Sequence, residues 1–114
     1  MIQIQTIQKL NEIIQLNEAT LIYFSGENCS VCKVLKPKIE EEIKQNFPKM
    51  KICEVQTDLY KELTAYFMVF SLPTILVYFD KKEFKRYGRN ISIPYDVHKM
   101  SKILYLLQQP FHHL

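Results

Sequence analysis

The sequence predicts an α/β domain with a mixed central sheet of about five strands flanked by about four helices. Three observations predict it. Apolar residues switch along the chain between the two-residue period of a strand and the longer period of a helix. Strands that alternate with helices make a largely parallel sheet, because a parallel connection must cross over. The last two strand candidates, "TILVYF" at 74 to 79 and "EFKRYG" at 83 to 88, lie too close for a crossover and read as an antiparallel hairpin, which makes the sheet mixed.

In chain order, "MIQIQT" alternates apolar and polar and suits a short strand with one buried face. Ile7, Leu10, Ile13 and Ile14 then recur at helical spacing up to Asn17, with Thr6 available as N-cap. "TLIYFS" at 20 to 25 has the pattern of a strand buried on both faces. Val31, Leu35, Ile39, Ile43 and Phe47 follow at i, i+4 and predict one apolar stripe on a helix that begins at "ENCSVCK" and ends near Pro48. "MKICEVQT" is the next strand, and Leu59, Leu63, Phe67 and Phe70 predict a short helix behind Asp58. After the hairpin, Val97, Met100, Leu104 and Leu107 give a C-terminal amphipathic helix stopped by Pro110. Residues 1–109 are therefore expected to form one domain, and 110–114 a short frayed tail.

A chain of 114 residues, 47% hydrophobic and 24% charged, reads as a single soluble domain. Its longest apolar run, "AYFMVF", is far short of the ~20 residues that span a bilayer, so no membrane span is expected. The N-terminus has no basic start followed by an apolar stretch, so no export signal is expected either, although a recloned mature domain would look the same. A net charge of +3 is too small to argue for nucleic acid. The local basic run "KKEFKR" with Arg89 reads as the solvated face of the hairpin, with docking of an acidic partner the minor alternative.

Three cysteines leave one unpaired, so a structural disulfide framework is the weakest reading of them. Cys29 falls in the loop after a buried strand and Cys32 one turn into the following helix. A thiol at a helix N-terminus meets unpaired backbone N–H groups and the positive end of the helix dipole, which favour the nucleophilic thiolate. The offset of three lets Cys32 return to Cys29 and close a small ring. Zinc is the rival reading, since C-x-x-C is half of a tetrahedral site. Cys53 is alone in a predicted buried strand, however, and His98, His112 and His113 supply no second paired spacing. Plain core packing of both thiols is the third reading.

On "TLIYFS", "ENCSVCK", Pro37, "QTD", "SLPT" and Gly88 the chain resembles the thioredoxin family over nearly its whole length. The resemblance implies a thioredoxin-like fold, with Pro37 as the proline that bends the active-site helix. It implies Cys29 and Cys32 as the catalytic pair. It also implies that Pro73, after a cis bond, and the backbone of Leu72 flank Cys29 and bind substrate as an added strand, with Gly88 letting another backbone approach and Gly26 giving the loop before Cys29 freedom. Family members usually carry Trp before the first cysteine and Gly-Pro between the two, where this chain has Asn28, Ser30 and Val31. Their buried aspartate under the cysteines is replaced by Tyr23 and its facing lysine by Glu54. The leading expectation is that Glu54 points into solvent at the strand end, since charged side chains are seldom buried unless paired. The rival expectation is that Glu54, with a pKa raised by burial, replaces the family's aspartate from the opposite strand and accepts the proton of Cys32, the Tyr23 hydroxyl holding that carboxylate or relaying the proton.

The function expected on this resemblance is thiol–disulfide exchange with protein substrates in the cytoplasm. The protein is expected to act as a monomer without cofactor or metal, supplied with electrons by a reductase or another thiol donor. The alternative is a thioredoxin-fold binding module that uses its cysteines little.

Overall fold

The computed structural model describes residues 1–91 together with Tyr95, Asp96, His98, Lys99 and Lys102. Its elements follow one another as β1 (Ile2–Gln3), α1 (Ile7–Leu16), β2 (Ala19–Ser25), α2 (Ser30–Asn46), β3 (Lys51–Gln56), α3 (Lys61–Tyr66), β4 (Thr74–Phe79) and β5 (Lys82–Tyr87). The sheet order is β1-β3-β2-β4-β5, with β1, β3 and β2 parallel, β4 antiparallel to β2, and β5 antiparallel to β4. This is the mixed five-stranded sheet that the alternating periods imply. The C-terminal helix expected from Val97, Met100, Leu104 and Leu107, its stop at Pro110 and the 110–114 tail lie outside the described residues. Tyr95, Asp96, His98, Lys99 and Lys102 are themselves helical.

Every residue of β2 is buried, as a central strand covered on both faces requires. Its side chains alternate between two cores. Ala19, Leu21 and Tyr23 pack with Cys32, Ile39, Ile43 and Phe47 on the α2 face. Ile22 and Phe24 pack with Leu10, Ile13 and Ile14 of α1 and with Leu63 and Phe67 on the other face. The N-cap expected at Thr6 is present, its hydroxyl accepting the Lys9 N–H at 3.1 Å.

Two apolar rows bury less than their spacing suggests. In α2, Ile39, Ile43 and Phe47 are buried and Leu35 is half-buried, but Val31 is 37% exposed and Cys32 takes its place in the core. An i, i+4 row advances about 40° around the helix at each step, so five members cannot share one face, whereas Cys32 and Ile39 stand two turns apart on the same side. The row Leu59, Leu63, Phe67 and Phe70 fails at both ends. Leu59 lies in the turn before α3 at 71% exposure, and Phe70 lies beyond it at 88%, where the chain has left the helix through Met68 with φ 54°. β1 is likewise shorter than "MIQIQT": only two residues pair as strand, while Ile4 buries its side chain and donates its N–H to the Glu54 carbonyl at 3.0 Å.

Asp80 and Lys81, with φ of 52° and 69°, form the two-residue turn between β4 and β5, the positive-φ geometry that matches strand twist. Arg86 of β5 is not merely part of a solvated face: it donates to the carbonyls of Phe67 and Met68 at 3.0 and 2.8 Å and so closes the C-terminal end of α3.

Candidate active site

The parallel strand β2 delivers the chain at Ser25 to a tight turn in which the Cys29 N–H donates to the Gly26 carbonyl at 3.2 Å. Cys29 is then the N-cap of α2, its Sγ accepting the Cys32 N–H at 3.2 Å. A sulfur in this position is met by an otherwise unpaired backbone donor and by the positive end of a 17-residue helix. Cys29 and Cys32 form a disulfide with S–S 2.10 Å and Cα–Cα 5.2 Å. Cys29 is half-buried, whereas Cys32 is 2% exposed and packs into the α2-side core. One sulfur is reachable and the other covered.

Beneath Cys32, Tyr23 and Glu54 are register partners on β2 and β3. The Tyr23 hydroxyl donates to the Cys32 carbonyl at 2.7 Å, not to Glu54. That corrects its expected part in holding the carboxylate. Burial, and secondarily the Glu54 charge, push the Tyr23 pKa far up, so the hydroxyl stays protonated. Glu54 is 3% exposed, which overturns the solvent-facing expectation. Its side chain lies on the α2 face because β3 alternates, with Cys53 and Val55 facing the other core. Its charge is met by three donors: Lys36 Nζ at 2.8 Å, Gln3 Nε2 at 2.6 Å and Ser25 Oγ at 2.8 Å. Burial acts to raise the Glu54 pKa, but the bonds from Lys36, Gln3 and Ser25 outweigh it and hold the pKa below the ordinary value. The expected direction was upward; the reversal comes from the three donors together, Lys36 first among them.

Two clefts flank the disulfide. The first, about 350 Å³, is lined by Ser25, Cys32, Lys33, Lys36, Glu54 and Asp58, so Cys32 and the Lys36–Glu54 pair share one space. The second, about 330 Å³, is lined by Asn28, Cys29, Val31, Asp58, Leu72 and Arg89. The Leu72–Pro73 peptide bond is cis, and Pro73 is buried at the start of β4. Gly26 matters through space rather than freedom, since neither glycine has a positive φ. A Cβ on Gly26 would lie 2.8 Å from Leu72 Cδ1, so the glycine lets Leu72 close onto the turn before Cys29. At Gly88 nothing lies within 4 Å of such a Cβ, which leaves its outer side open.

The fold brings Cys29, Cys32, Tyr23, Glu54 and Leu72 together, and leaves Cys53 buried on the opposite face. Burial pushes the Cys53 thiol up to about 11. Among the described residues no three metal-ligating side chains come together, and no helix is long and apolar enough to cross a membrane. Lys36, Gln3, Ser25 and Arg89 escaped the sequence reading as site residues. Lys36 had a signal, standing four residues after Cys32 and so one turn along the same helix face. Arg89 was hidden in the basic run, yet its Nε and Nη2 donate to the Leu72 carbonyl at 3.2 and 2.8 Å.

Residues 2–93 match the family model described as Thioredoxin. The thioredoxin-like protein YdfQ of Bacillus subtilis is 25% identical over 105 residues, covering 92% of this chain and 93% of that protein. The solved thioredoxin of Plasmodium falciparum superposes with a TM-score of 0.77 at 27% identity, over 88% of this chain and 98% of the other. Mitochondrial thioredoxin 3 of Saccharomyces cerevisiae, in its oxidised form, gives 0.79 at 21% identity, over 91% and 95%, and shares the fold.

Proposed function

The chain belongs to the thioredoxin family of thiol–disulfide oxidoreductases, and we propose that it exchanges disulfides with protein substrates through Cys29 and Cys32. The single observation that carries this is the asymmetry of the pair: Cys29 is the reachable N-cap sulfur, with Cys32 covered beside it at bonding distance. From the reduced form, the Cys29 thiolate attacks one sulfur of a substrate disulfide. A mixed disulfide forms and the first substrate thiolate leaves. Cys32 then loses its proton and attacks Cys29 Sγ, which re-forms the Cys29–Cys32 bond and expels the second substrate thiolate. Two electrons pass to the substrate, and the reverse sequence oxidises a dithiol.

Substrate docks beside Cys29 against the backbone of Leu72 and Pro73, with the open side of Gly88 admitting its main chain. The Cys32 proton leaves through the cleft shared with Glu54. Held ionised by Lys36, the carboxylate is a transient acceptor and not a poised base, and Tyr23 positions the Cys32 backbone. A reductase or another thiol restores the reduced pair. The natural setting on this reading is the cytoplasm, where the unpaired Cys53 stays reduced, and the acting unit is a monomer with residues 1–109 as its domain and 110–114 as tail.

Alkylation of the reduced protein near neutral pH should label Cys29 ahead of Cys32 and Cys53. Cys32→Ser should accumulate mixed disulfides on Cys29. Preferential labelling of Cys32, or no trapped species with any disulfide substrate, would replace this function with that of a binding module.

A further inference from the structure

We propose that Arg89 selects substrate in the groove beside Cys29, favouring disulfides whose cysteine is flanked by Asp or Glu; this rests on the exchange reaction proposed above and names its substrate class. Arg89 follows Gly88 directly and spends Nε and Nη2 on a single acceptor, the Leu72 carbonyl. A guanidinium carries five donors in a rigid fork that matches a carboxylate better than one carbonyl oxygen. Among the described residues Arg89 has no carboxylate partner, the ion pairs there being Met1 with Glu40, Lys36 with Glu54 and Arg86 with Glu83. The other charge on the groove wall is Asp58, whose Oδ2 accepts the Glu27 N–H at 2.6 Å.

A strand added along Leu72 competes for the carbonyl that Arg89 holds. Arg89 is exposed, so once displaced its guanidinium stays at the wet rim of the groove, where a charged acceptor on the substrate is a stronger partner than water or a neutral carbonyl. An acidic side chain beside the substrate cysteine supplies a two-pronged one. A Lys or Arg in that place leaves the fork unpaired and sets like charges together. Asp58 works against the preference, which keeps it moderate: about fivefold, near the upper end of what one partly exposed pair gives.

The test uses the reduced full chain and three synthetic peptide disulfides identical except for Glu, Gln or Lys beside the cysteine, with kcat/KM read from thiol release. The wild type should prefer the Glu peptide to the Lys peptide by about fivefold at low salt, the ratio narrowing as salt is raised to about 0.5 M. Arg89→Gln should bring the ratio close to one, and Arg89→Glu should reverse it. The same ratio in wild type and Arg89→Gln, or no preference in the wild type, overturns the proposal. Should Arg89→Gln not fold, a wild-type ratio insensitive to salt overturns it equally. If the wild type reduces none of the three peptides, the exchange reaction itself is refuted and this proposal falls with it.

Discussion

Replacing Glu54 by Gln keeps the side-chain shape and removes its charge, and the surroundings set the cost. The carboxylate is 3% exposed and accepts from Lys36, Gln3 and Ser25 at 2.8, 2.6 and 2.8 Å. With the amide oxygen in place of Oε1, Lys36 and Gln3 keep their bonds while Ser25 must turn and accept from the amide NH2. Bonds to a charged group contribute about 1.5–3 kcal/mol against about 0.5–1.5 for neutral ones, so the Gln3 and Ser25 bonds each weaken by about 1 kcal/mol and Lys36 loses its opposite charge. The Lys36 side chain is 36% exposed, which screens its share. The amide also avoids the desolvation of a buried carboxylate, a further offset. The net expectation is a loss of about 1–2 kcal/mol at pH 7, or about 5–10 °C in Tm for a domain of this size. Acid separates charge from packing. The folded pKa of Glu54 lies below its ordinary 4.5, so its ionised form contributes fully above that pH and loses the contribution as pH falls through the folded value. Thermal melts of wild type and Glu54→Gln, followed by circular dichroism from pH 7 down to pH 3, should therefore converge as the pH drops below about 4.5. Equal melts at pH 7, or a gap that persists unchanged into acid, would refute the network as the source of stability. In the same variant, resolution of a preformed mixed disulfide should slow by no more than about tenfold, the scale left to a weak transient base.

Cys53 is fully buried between Ile22 and Val55 on the face away from the disulfide. Cys53→Ala should keep full exchange activity, lose about 1 kcal/mol in denaturant melts through the small void it leaves, and show by thiol titration of the folded wild type that Cys53 stays unmodified near neutral pH. Arg86→Ala should release the two carbonyls that Arg86 closes at the end of α3. A loss of about 1 kcal/mol, with faster amide exchange confined to Leu63–Met68, is the expected outcome, and uniform exchange across the chain would argue against the cap.

Much of this was legible in the sequence, because it rests on local periods. Thr6 caps α1, "TLIYFS" is buried on both faces, and the close pair of strands forms a hairpin, each a matter of neighbouring residues in the chain. The placing of the cysteine pair was legible for the same reason: three residues at a strand-to-helix junction suffice to set Cys29 at a helix end and Cys32 inside it. Spacing misled where it had to be carried over several turns, as at Val31, Leu59 and Phe70, since a row of side chains winds around a helix and the core covers only one side. The resemblance set Tyr23 and Glu54 under the cysteines and Leu72 beside Cys29, but which partners they bond was decided by tertiary structure. Glu54 meets Gln3 from 51 residues away and Ser25 from 29, and Arg89 reaches Leu72 from 17. Whether a buried carboxylate is raised or lowered in pKa depends on which donors the fold sets around it, a balance of desolvation against hydrogen bonds made by residues distant in the chain.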